Sequence, residues 1–337
     1  MTRRRPTIAD VARRAGVSAA AVSFAVNDRP GVSPETRERI LAAARELGWR
    51  PSASARALTE ARTRAIGLVL ARDAAQLDVD AFFVRFLSGI GRALSAADYA
   101  LLLQLVPEGA AAALPAYERL AAAGRVDGFL LTDVEVDDPR FAVLEAAGVP
   151  VLLAGRPVGE CPFAWVETRH EEGMAGPVAH LARLGHTRVC FFGGRADFEH
   201  VQVRRERWRN AVDDAGVEEG VAVHAADDEM AEAARVLLTS EPTAVVCGSD
   251  VLAVALVRAA RERGLDVPGD LSVTGFDDSP LAALSGLTSV RVDYAEFGEA
   301  AAGALLAELG VAEAPAFEPS APELVLRAST APPPSRG

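Results

Sequence analysis

From Ala65 onward the chain repeats one pattern, an apolar run of strand length followed by a segment of helix length. AIGLVLA, YALLLQLV, VDGFLLT, VPVLLAG, VCFFGG, TAVVCG and LSVTGF are such runs. They are continuously apolar and not alternating, which is how a strand reads when both of its faces are covered. Strands alternating with helices predict parallel sheets with helices on both sides. With at least seven such units in roughly 270 residues, one small sheet is exceeded, so two doubly wound lobes are expected over residues 65–330. The Pro-rich end APPPSRG, residues 331–337, is expected to be disordered.

Residues 1–49 read differently, as three short helices. Thr7 followed by Asp10 is a capping pattern, and the first helix runs through IADVARRA to Gly16, where glycine permits a left-handed turn. Ser18 can cap a second helix, AAAVSFAVN. Ser33 caps a third, with Pro34 at its first position, and ERILAAARELG stops it at Gly48. A turn of about three residues between the first two makes them cross steeply, with Ala12, Val17 and Val22 in the crease, which is helix-turn-helix geometry. Residues 50–64, from RPSASARALTE onward, are polar, lack an amphipathic stripe and read as a linker with weak helical potential.

Charge divides the chain in the same place. Its net charge is -12, yet residues 1–64 carry 13 Arg against 6 Asp plus Glu. A basic end on an acidic body points to a nucleic-acid-binding head, although a solvated basic tail would give the same balance. Half the residues are hydrophobic and 24% are charged, which excludes disordered and fibrous classes. No apolar run reaches the roughly 18–20 residues of a membrane span, and MTRRRPTIAD has no apolar segment behind its basic residues, so a cytoplasmic protein without membrane contact is expected. Cys161, Cys190 and Cys247 are expected to be buried thiols.

Little in the sequence speaks for catalysis. There is no P-loop, GxSxG, HExxH or Cys/His cluster, and His170, His180, His186, His200 and His224 are scattered. His186, in LGHTRV, reads as a structural residue at a helix-to-strand turn. GIG at residues 89–91 falls inside a helical stretch and is no dinucleotide fingerprint. No cofactor, metal or catalytic residue is expected.

The head TIADVARRAGVSAAAVSFAVNDRPGVSPETRERILAAARELGWRPSASARAL resembles the lactose-repressor (LacI/GalR) family along its full length. The resemblance continues through SGIGRAL, VDGFLL, LARLGHTRV, the Arg204 segment, LDVPGDLSVTGFDD, LTSVRVD and LVLRAST. It implies an all-α helix-turn-helix head and an α/β sensor of two periplasmic-binding-protein-like lobes. It also implies a transcription regulator, with a repressor the expectation, that binds double-stranded operator DNA as a homodimer under control of a small effector such as a sugar or sugar phosphate.

The second helix would enter the major groove with Ser18, Ala19, Ala20 and Ser23 near the bases. By resemblance, Thr7, Ser18, Ser23, Asn27, Ser33 and Thr36 lie where phosphate contacts usually form. Helix capping explains the Ser and Thr residues as well, and the two roles are compatible. Where the family commonly shows polar base-reading side chains this chain has Ala19 and Ala20. Where the family commonly has a guanine-gripping arginine it has Phe24, which is alternatively a core residue. Methyl groups and a ring suit thymine methyls, so an operator leaning on T is expected. Arg50 to Thr59 resembles the hinge helix that forms on DNA, with Arg56 and with Leu58 as the minor-groove wedge; a passive linker is the alternative.

For the effector the resemblance implies Arg204, Asp250 and Asp277, with Asp80 and Phe82 in DAFF replacing NPFF. Trp165, Thr168 and Arg169 fall in WVETRHEEG, and an arginine at 169 would favour an acidic or phosphorylated ligand. A surface or structural role is the alternative for each of them. Two other classes share such a core. A solute-binding protein would need an export signal where the basic head lies, and a sugar- or nucleoside-processing enzyme would need a convergent acid, base or metal set.

Overall fold

The computed structural model of the chain describes residues 6–26, 29–49, 62–72, 81–314 and 316–335. They form two compact units, Met1–Thr63 and Arg64–Gly337.

In the first unit, α1 (Ile8–Ala15), α2 (Ala19–Val26) and α3 (Pro34–Leu47) surround a small core of Val11, Ala12, Ala15, Val22, Ala25, Ile40, Ala43 and Ala44. Val17 packs against it partly buried, so the expected crease is present. Thr7 and Asp10 form the reciprocal capping box, and Gly16 ends α1 in the left-handed conformation. Three arginines are used in holding these helices together. Arg39 donates to the Ala15 carbonyl at 3.1 Å, Arg37 to the Ala25 carbonyl at 3.1 Å, and Arg14 pairs with Glu46 at 2.6 Å. Carbonyls at the ends of α1 and α2 have no partner within their own helices, so these cations stabilise both helix ends.

The second unit contains two sheets. The first has the order β2-β1-β3-β4-β5 and is wholly parallel: β1 (Ala65–Ala71), β2 (Ala100–Val106), β3 (Gly128–Leu131), β4 (Val151–Ala154) and β5 (Ala164–Val166). The second has the order β11-β10-β9-β8-β6-β7: β6 (Arg188–Gly193), β7 (Glu218–His224), β8 (Ala244–Cys247), β9 (Ser272–Asp277), β10 (Thr288–Arg291) and β11 (Glu323–Val325), with β11 antiparallel to its neighbour. The continuous apolar runs have the expected cause. In β1, Ile66, Leu68 and Leu70 enter one core while Val69 enters another, and in β6 Val189 and Phe191 divide in the same way from Cys190 and Phe192.

Helices cover both faces of each sheet. The first lobe has α4 (Ala81–Ala96), α5 (Ala110–Ala122) and α6 (Arg140–Ala147). The second has α7 (His170–Arg183), α8 (Glu199–Ala215), α9 (Met230–Leu238), α10 (Asp250–Glu262) and the short α11 (Pro280–Ser285). α12 (Tyr294–Glu308) follows a strand of the second lobe but packs on α4, β3, β4 and β5 of the first. The chain therefore crosses between lobes three times, at 167–169, 292–293 and 309–322.

Two glycines set the α4–α12 distance. A Cβ on Gly89 would lie 1.9 Å from the Ala295 carbonyl oxygen, and one on Gly298 would lie 2.1 Å from the Phe86 carbonyl oxygen. The GIG stretch is thus helical, as expected, and its first glycine is a packing device.

Two expectations need correction. Cys190 and Cys247 are buried, but Cys161 is only partly so, because it lies in the loop between β4 and β5. The tail does not become disordered at Ala331. Its amide donates to the Ser272 hydroxyl at 3.0 Å, and its carbonyl accepts from that hydroxyl and from His186 Nε2, each at 2.9 Å. His186 is buried and also bonds Thr243 at 3.0 Å, which is the structural role its position suggested.

Replacing Gly89 with Ala should lower unfolding free energy by about 2 kcal/mol or more, since a backbone collision cannot be relieved by a rotamer change. Gly91→Ala, with nothing within 4 Å of its Cβ, should instead be neutral or stabilise by up to about 1 kcal/mol. Urea denaturation of the two variants measures the difference.

Candidate functional site

In the head, burial of Val22 and Ala25 turns the opposite side of α2 outward. Ser18, Ala19, Ala20 and Phe24 are exposed there and Ser23 is partly so, which brings the expected base-facing residues onto one strip. Phe24 is not a core residue, although its ring edge rests near Gly31. The hydroxyls are engaged in capping. Thr7 Oγ1 donates to Asp10 at 2.8 Å, Ser18 Oγ accepts from the Ala21 amide at 3.2 Å, and Ser33 Oγ donates to Thr36 Oγ1 at 2.9 Å. Asn27, Arg56, Leu58 and the rest of the expected hinge helix lie outside the described residues, as does Asp80.

In the second unit a cavity of about 530 Å³ lies between the lobes. It is built where α/β sheets put ligands, beyond the carboxyl ends of parallel strands. Arg72 follows β1, Thr132 and Asp133 follow β3, Gly194 and Arg195 follow β6, Ser249 and Asp250 follow β8, and Asp277 ends β9. Phe82, Phe198, Met230 and Tyr294 supply apolar surface. Among the described residues no group of His, Cys, Asp and Glu could hold a metal ion.

Arg204 lies over the Phe276 ring, with its guanidinium carbon 4.1 Å from the ring centroid. It donates to the Gly248 carbonyl at 2.6 Å and approaches Asp277 Oδ1 to 3.8 Å, while the Tyr294 hydroxyl donates to that same oxygen at 2.6 Å. Its buried Nε has no hydrogen-bond partner among the described residues. Asp277 (φ 105°) and Asp133 (φ 50°) occupy backbone regions that side chains other than glycine rarely adopt, and such strain concentrates at ligand sites.

Arg72 grips Asp133 through two bonds of 2.8 Å. Burial opposes ionisation of Asp133, yet the attached Arg72 guanidinium holds its carboxyl below the usual range. Asp250 behaves otherwise. Burial pushes its carboxyl up, although Oδ1 accepts from the Ser289 hydroxyl at 2.6 Å and Oδ2 from the Ser279 amide at 2.7 Å. It faces the cavity as a brace between the ends of β8, β9 and β10.

Thus Phe82, Arg204, Asp250 and Asp277 come together as expected, and Trp165 and Arg169 do not join them. Trp165, on the edge strand β5, is half-exposed and outside the cavity lining. Arg169 pairs with Glu172 and lines an adjacent cavity of about 420 Å³ with Arg156, Glu167, Arg207 and Phe317, whereas Thr168 lines both this cavity and the central one. Arg72, Asp133, Arg195 and His200 also line the cavity and are not singled out by the sequence. For the first three the signal is positional, since each stands one or two residues beyond an apolar run.

Comparison with known protein families matches residues 7–52 to bacterial regulatory proteins of the lacI family, and residues 178–330 to a periplasmic binding protein-like domain. The HTH-type transcriptional regulator MalR of Streptomyces coelicolor is 35% identical, over 96% of each chain. The chain belongs to the lacI family of bacterial transcription regulators. The helix-turn-helix head and bilobed sensor are therefore those of a DNA-binding regulator, not of a solute-binding protein. Among solved structures, the Lac repressor dimer bound to operator and the anti-inducer ONPF matches with a TM-score of 0.81 at 26% identity, covering 97% of this chain and 100% of that one. A CelR–cellobiose complex matches with a TM-score of 0.71 at 30% identity, covering 96% and 100%. No helix among the described residues is long and apolar enough to cross a membrane.

His200 lines this regulator's cavity, where burial, reinforced by Arg204, holds its imidazole at about 3. The unfolded chain binds this proton near pH 6.5 and the folded chain does not, so stability falls as pH drops from about 6.5 toward 3. The loss attributable to His200 should reach up to about 1 kcal/mol per pH unit. Chemical denaturation at pH 7 and pH 5 should show a smaller pH difference in His200→Gln.

Proposed function

We propose that the chain is an effector-controlled repressor that acts as a cytoplasmic homodimer on a pseudo-palindromic operator, and that its effector is an uncharged, polyhydroxylated molecule of the sugar class. The observation that carries this reading is the cavity at the strand ends. Its arginines are engaged by carboxylates or carbonyls, and stacking rings stand beside polar groups that can pair with hydroxyls. Arg72, Arg195 and Arg204 share the lining with Glu108, Asp133, Asp227, Asp228 and Asp277, so no surplus of positive charge awaits an acidic ligand. The arginine that would have favoured a phosphorylated effector, Arg169, has its own carboxylate and lines another cavity. The CelR–cellobiose complex supports the sugar class. An enzyme is disfavoured, because the curated relatives are named as regulators.

The effector acts by changing how the two lobes are held against each other. Ligand contacts on both lobes change the geometry of the three crossovers, and the segment 50–64 carries that change to the head. Ligand and operator affinities are then linked reciprocally, typically by about 1–3 kcal/mol.

Thermal shift with neutral mono- and disaccharides, cellobiose included, against their phosphorylated counterparts tests the effector class. Neutral sugars should raise Tm, and stabilisation by phosphorylated sugars alone would refute it. Arg204→Ala should weaken effector binding at least about tenfold, or roughly 1.4 kcal/mol, in titration calorimetry, and leave ligand-free operator affinity in a mobility shift unchanged.

The exposed strip on α2 offers methyl groups and one ring but no guanidinium. In-vitro selection of duplexes should enrich T at positions facing α2, with about 1 kcal/mol of discrimination per position. A strongly enriched G read by this helix would refute that assignment.

A further inference from the structure

The lobes are joined by more than the crossovers. The loop after β3 and the loop after β6 meet edge to edge, with Glu135 and Phe198 facing as an antiparallel bridge. The Val136 amide donates to the Asp197 carbonyl at 2.8 Å, and the Glu199 amide donates to the Val134 carbonyl at 2.9 Å. Side chains reinforce the bridge. Arg195, on the second lobe, donates to Glu108 at 2.5 Å and lies 3.5 Å from Glu135, both on the first, with its guanidinium carbon 4.5 Å from the Phe198 ring centroid. Glu199 accepts the Val158 amide of the first lobe at 3.1 Å, and its other carboxylate oxygen is buried with no hydrogen-bond partner among the described residues.

The first-lobe half of this bridge is held rigid from behind. Arg140, fully buried, bonds both oxygens of Asp138 and donates to the Asp133 carbonyl at 2.7 Å. Asp138 accepts the Glu135 amide at 3.1 Å, and Glu135 in turn accepts the Ala110 amide at 3.1 Å. The loop that offers Val134 and Val136 to the other lobe is therefore the same loop that places Asp133 against Arg72 in the cavity wall.

The location is informative. Crossovers leave the sheets after β5 and β10, whereas this bridge ties the ends of β3 and β6. Glu108 and Asp133 on one lobe, with Gly194, Arg195 and Phe198 on the other, line the cavity beside it. The lobes cannot part there without breaking two backbone hydrogen bonds and the Arg195 pairs with Glu108 and Glu135, although the Arg195 pair with Asp197 lies within the second lobe and would persist.

We propose that residues 134–136 and 197–199 form a strap that gates the central cavity: it must open for a ligand to pass, and Arg195 is the cation that holds it shut. The proposal concerns access and does not depend on which ligand the cavity takes.

In the Glu135–Phe198 pair the flanking residues make the bonds, and pairs of that kind have Cα atoms about 4.5 Å apart, within disulfide reach. A Glu135→Cys/Phe198→Cys variant in a Cys161→Ser background should therefore cross-link under mild oxidation, seen as loss of maleimide-reactive thiols in folded protein. His200, in the cavity wall, reports access. Its modification by diethyl pyrocarbonate, read by peptide mass spectrometry, should be at least about tenfold slower in the oxidised variant than in the reduced one. In the unsubstituted protein, the Val136 and Glu199 amides should be protected from hydrogen exchange, and Arg195→Gln should accelerate both without altering overall stability curves. Exchange of these amides at the rate of open loops would overturn the strap even if the cysteine variant failed to fold. A cross-link that leaves His200 reactivity unchanged would overturn the gate.

Discussion

The sensor unit depends on the contact between α4 and α12, helices from opposite ends of its sequence. Gly89 and Gly298 let the two backbones meet at carbonyl distance, so the helices cannot slide apart without opening the core beneath Phe86, Ile90 and Phe297. Because α12 completes the first lobe while its neighbours in sequence build the second, the chain is obliged to cross between them. Those crossings hold the carboxyl ends of the two sheets toward each other. A cavity at that place then follows from topology, before any ligand-binding side chain is considered.

What fills the rim of this cavity is a set of charges that mostly answer one another. Arg72 with Asp133, and Arg204 with Asp277 and Tyr294, are charge-assisted pairs in a half-enclosed site. Such pairs keep each group oriented without leaving an uncompensated charge, which would cost several kcal/mol. The strained backbone at Asp133 and Asp277 persists because the bonds made by these side chains and by Arg140 over-determine their loops. Asp250 has both oxygens used within the second lobe, so its removal would loosen the strand ends more than it would alter ligand contacts. Among the described residues of the lining, Thr132 Oγ1 and Arg204 Nε are buried without a hydrogen-bond partner.

Much of this was legible in residue order. All seven apolar runs became strands, and the helix caps of the head formed at Thr7, Ser18 and Ser33. The strands not anticipated, β5, β7, β10 and β11, lack that signal for physical reasons. β5 is apolar but only three residues long, too short to register as a run, while β7 and β11 are sheet edges whose exposed residues break any continuous apolar run. In β10, Thr288 and Ser289 are fully buried but satisfied by hydrogen bonds to Arg327, Ser329 and Asp250, which polarity alone disguises. The site residues divide likewise. Arg204 and Asp277 stand in segments that resemble the family closely, whereas Arg72 and Asp133 become a pair only when β1 and β3 lie side by side. Trp165 and Arg169 show the converse, since closeness in sequence to the crossover at 167–169 did not fix the direction of their side chains.

The head raises a separate question of how a recognition surface with so few polar groups can select a site. Arg14, Arg37 and Arg39 are occupied in holding the three helices together, and Ser18 and Ser33 in starting two of them. Among the described residues α2 leaves Ala19, Ala20 and Phe24 exposed and Ser23 partly so, a strip whose chemistry suits shape and methyl contacts, beside helix N-termini suited to phosphate and the exposed Arg13. Each head by itself would therefore dock firmly and discriminate weakly. In a twofold assembly the discriminating free energies of two half-sites add, so about 1 kcal/mol at each of several positions becomes a large ratio over the full operator. A weakly polar surface on α2 would then be compatible with a specific regulator when two heads bind together.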